Sequence, residues 1–82
     1  MTRKADQQVL DEGRRARTLL NDEDVSAILA EIEAGAFEQF KGCAINDTTE
    51  MMRLHTVVVG VQELRAALRT RIDRALVVEG KK

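Results

Sequence analysis

The sequence predicts an all-α protein of three helices: an antiparallel helical hairpin with a long heptad-patterned third helix, preceded by an N-terminal helical arm. Three observations lead there. The 82 residues hold no proline and five glycines, and 44% apolar with 33% charged side chains is the composition of an ordered, helix-rich chain. Two polar clusters, Asn21 to Asp24 and Asp47 to Glu50, have the chemistry of helix starts. Finally, Met51, Leu54, Val58, Val61, Arg65, Leu68, Ile72 and Ala75 recur at alternating steps of three and four, an unbroken heptad seam with one charged member.

The chain reads as a single domain, 1–82. Its first segment, 1–20, is the arm, with a helix from about Ala5 to Leu20 carrying Val9, Leu10, Ala16, Leu19 and Leu20 and interrupted by Gly13. The second helix, 21–41, opens at Asn21 as N-cap, with Asp22, Glu23 and Asp24 at the positive end of the dipole. Val25, Ile28, Leu29, Ile32, Ala36, Phe37 and Phe40 then form one broad apolar stripe that ends near Gly42. The third helix, 47–79, starts at Asp47, with Glu50 placed to reach back to it as in a capping box. Val57, Val58 and Val59 have strand propensity, but the continuous heptad register through Leu54, Leu64 and Leu68 favours helix. Val57, Leu64 and Val78 widen the seam on one flank, so the second helix cannot cover all of it.

A chain of this length buries only about 60–65% of its unfolded surface. One cysteine and one histidine exclude a disulfide framework and a four-ligand metal site, which leaves association as the expected support for a thin core. A homo-oligomer or a docked partner protein is therefore expected, with Met51, Leu54, Val58, Val61, Arg65, Leu68 and Ile72 as the candidate interface. No cofactor and no small-molecule substrate are implied. No apolar run approaches about 18 residues and no signal-peptide core opens the chain, so neither a membrane span nor export is expected. The lone Cys43 suggests a reducing compartment.

The net charge of −1 gives no global pull towards nucleic acid. Charge is nevertheless segregated. Residues 21–40 carry six acids and no base, whereas residues 61–82 carry six bases against Glu63, Asp73 and Glu79. Arg65, at a seam position, is expected to pair with a carboxylate of the second helix or to extend its stem along the apolar face. Arg14, Arg15 and Arg17, with Arg69, Arg71 and Arg74, are candidate phosphate contacts, an ordinary solvated face being the alternative.

Catalytic chemistry is not visible. Cys43 and His55 are the only pair resembling a nucleophile and base, and neither comes with an oxyanion-type or glycine-rich motif. Cys43 reads as a small hydrophobe in the turn and His55 as a boundary residue. Phe37 and Phe40 read as core anchors clamping the turn, with a partner pocket as the sharper alternative; a fully buried Phe37 would cost about 3–5 kcal/mol on truncation to Ala.

Arg15-Ala16-Arg17-Thr18-Leu19-Leu20-Asn21-Asp22-Glu23, Phe37-Glu38-Gln39-Phe40-Lys41 and Val61-Gln62-Glu63-Leu64-Arg65-Ala66-Ala67-Leu68-Arg69 together resemble the small α-helical tailed-bacteriophage and prophage proteins encoded among head and DNA-packaging genes. The resemblance covers residues 14–76 and departs from the group at Phe40, where Trp is usual. It implies a non-enzymatic phage structural or assembly protein in the virion head or packaging apparatus, located in the virion or the host cytoplasm, with no catalytic residues to carry over. One alternative is a small-terminase-like packaging protein that engages DNA, against which stands the absence of a convincing recognition helix. Another is a phage-encoded inhibitor of a host protein, using Glu31, Glu33 and Glu38 as an acidic face.

Overall fold

The computed structural model describes residues 4–80, as three helices: α1 (Lys4–Asn21), α2 (Glu23–Gly42) and α3 (Thr48–Gly80). No strand occurs among the described residues, so the valine run Val57–Val59 lies within α3. Helix α3 has 33 residues and is about 50 Å long at 1.5 Å per residue. Neither of the other helices reaches along it alone. They lie end to end instead, α1 against the C-terminal half of α3 and α2 against the N-terminal half, with little contact between themselves. The result is an elongated hairpin, 59 × 23 × 16 Å, with a broken first leg.

The break is Asp22. Its backbone is extended (φ −70°, ψ 122°), and its carboxylate accepts the Val25 N–H at 2.9 Å, satisfying one of the orphan donors of α2. Asn21, expected as the cap, is instead the last residue of α1. At the far end Cys43 caps α2 in an extended conformation, its N–H reaching the Phe40 carbonyl at 3.2 Å, and no described residue has positive φ. Asp47 accepts the Glu50 N–H at 3.1 Å and so begins α3 as expected. The reciprocal half of the capping box does not form: the Asp47 N–H goes to Ala44 O at 3.0 Å, and the Glu50 carboxylate takes Arg53 Nε at 2.9 Å.

The buried side chains follow the seven-residue repeat. Leu54, Val61, Leu68 and Ala75 form one column along α3, joined near its end by Val78; Leu29 and Ala36 of α2 and Ala16 of α1 face them. Three of these eight side chains are alanines, so the core is thin and the helices must approach closely to close it.

Gly13 is the point of closest approach. A Cβ built there would lie 2.3 Å from Ala75 Cβ and 3.0 Å from the Arg71 carbonyl oxygen. The glycine that interrupts the α1 pattern in the sequence is thus what lets α1, expected as an arm, seat against α3. Gly35 and Gly60 have open space where a Cβ would stand. We expect Gly13→Ala to lose about 1–2 kcal/mol net, overpacking outweighing the helix-propensity gain, and to lower the melting temperature by roughly 5–10 °C. Ala75→Gly in the same chain removes the colliding atom and should recover part of that loss, although alone it destabilises; thermal melts of the three variants check this.

Candidate docking faces of the hairpin

The α3 seam that the sequence offers as an interface is the inner face of the hairpin. Leu54, Val61 and Leu68 are buried within the single chain, and Met51, Val58, Arg65 and Ile72 are half-buried beside them. Uncovered apolar side chains of α2 and α3 gather on the two flanks, while Ile45, Met52 and Val77 are exposed singly elsewhere.

On one flank Phe37 and Phe40, with Ala36, Leu54, His55 and Val58, line an apolar hollow of about 190 Å³ near the turn. The two rings are 55% and 47% exposed, so the expectation that they are buried core anchors is not met. The reason is the width of the α2 stripe. Contact with one helix buries only the line through Leu29 and Ala36, and Phe37 sits 100° round from Ala36.

The other flank, where Val57 and Leu64 widen the seam, lies outside the candidate interface residues that the sequence offers. There Ile32, Gly35 and Gln39 of α2 share a groove with Arg53 and Val57 of α3. Arg53 Nη2 donates to Gln39 Oε1 at 3.1 Å, fixing the antiparallel register; eleven residues on along each helix, that register brings Ile28 level with Leu64. Ile28 is one turn from Ile32, and Leu64 one heptad from Val57, so all four share this side. Ile28, Ile32 and Leu64 are 54%, 42% and 47% exposed. The available signal was the flank that Val57 and Leu64 add to the seam.

Charged groups reinforce the pairing and divide the surface. Arg65 Nη1 donates to Glu33 Oε1 across α2 and α3, the predicted partnership, with both side chains largely shielded from solvent. Glu38 pairs with Lys41 at 3.2 Å. Of the three carboxylates proposed as an acidic track, only Glu31 therefore remains without such a bridge. The six candidate phosphate-binding arginines are all exposed, but they do not share one face. Arg14 and Arg17 line a hollow with Glu79, and Arg14 pairs with Asp11 at 2.8 Å, whereas Arg15 lies over a different stretch of α1. On α3, Arg69 and Arg71 are 200° apart.

Cys43 and His55 show no arrangement for nucleophilic chemistry. Partial burial, then the Glu50 and Asp47 charges, push the Cys43 thiol up, which disfavours the thiolate. The Arg53 hydrogen bond holds the Glu50 carboxyl below the usual carboxylate range. Among the described residues no group of three His, Cys, Asp or Glu side chains could hold a metal ion, and no helix is long and apolar enough to cross a membrane.

Two stability measurements test this geometry. Phe37→Ala should cost less than about 1.5 kcal/mol, well below the 2–5 kcal/mol expected for Leu54→Ala at a site only 2% exposed. A double-mutant cycle on Glu33 and Arg65 by urea denaturation should give a coupling of about 1 kcal/mol, while replacing both by Met should be close to neutral. Comparison with protein-family models, curated proteins and solved structures finds no match for this chain.

Proposed function

We propose that this chain is a non-enzymatic assembly protein, acting by docking the lateral faces of its hairpin onto copies of itself or another structural protein. The resemblance of its helical motifs to phage head and packaging proteins suggests a virion head or packaging apparatus as the place of that assembly. The observation that carries the reading is the exposed apolar surface on both flanks: Phe37 and Phe40 on one, Ile28, Ile32 and Leu64 on the other, each near half exposure. Contiguous apolar surface of this kind on a soluble helix pair is characteristic of interaction sites.

A DNA-packaging role is the second reading. It is favoured by the basic end of the molecule, where α1 and the last sixteen described residues of α3 together carry +3. The two are separated by light scattering of the purified protein, with and without double-stranded DNA at low and moderate salt. Assembly through apolar faces predicts a mass, whether that of the 9.2 kDa chain or of a multiple of it, that DNA does not change at moderate salt. DNA binding that falls steeply with salt would overturn it in favour of packaging.

A further inference from the structure

We draw no further inference here: the strongest candidate, the apolar hollow that Phe37 and Phe40 line with His55 and Val58 beside the turn between α2 and α3, belongs to the docking faces already described, and nothing in the structure shows what covers it.

Discussion

The constraint on this fold is the apolar seam of α3, about 50 Å long, with no proline and with helix continuing through its one interior glycine, Gly60. Exposed along its length it would be aggregation-prone; covered by one equal helix it would make a simple coiled hairpin. The chain covers it with two shorter helices, so the cover needs a joint. Asp22 supplies it by ending α1 and capping α2 in one residue. The joint also lets each half set its own distance from α3. Around Gly13 the contact is made backbone to backbone, while α2 stands off far enough to admit the Arg65–Glu33 bridge. The heptad column of α3 is common to both halves, and its partners differ.

That difference in approach distributes stability. Alanine and glycine bury little apolar area themselves, so the α1–α3 half depends on close van der Waals fit and is sensitive to a single added methyl. The α2–α3 half has the larger side chains Leu29, Leu54 and Val61, tied across its edges by Arg53–Gln39 and Arg65–Glu33. Exposed i,i+3 and i,i+4 pairs such as Asp11–Arg14 and Gln7–Asp11 support α1 locally but say nothing about its docking. The docking is decided at Gly13.

Much of this was legible in the sequence because it is local or periodic. The three helices, the Asp47 start, the heptad seam and the cross-helix partner of Arg65 follow from capping chemistry, seven-residue spacing and the cost of an unpaired charge on an inner face. What was not legible depends on distance between elements. Gly13 interrupts an α1 pattern and has no property in sequence that distinguishes a weak helix position from a close contact. Phe37 and Phe40 belong to an apolar stripe wider than one neighbouring helix can cover, and the periodicity that identifies the stripe does not say which edge is left out. Asn21 and Asp22 are both competent caps; placing the break one residue later puts a full carboxylate at the first turn of α2, where the helix dipole favours it.

The shape of the molecule explains why uncovered apolar area is unavoidable here. A compact chain of 82 residues has a radius of gyration of about 12 Å, against 17.5 Å for this rod. Two helix thicknesses have no interior beyond a single line of contact, so a stripe wider than that line must reach solvent. Lengthening the helices adds exposed flank in proportion to added core and cannot remedy this. Adding a second layer does: helices laid against a flank convert it from surface to interior without altering the line already packed. Of the two flanks, the Phe37–Phe40 hollow lies near one end and suits a localised insertion, whereas the Ile28–Leu64 patch lies near the midpoint. End placement gives no preference for a copy over any other apolar partner.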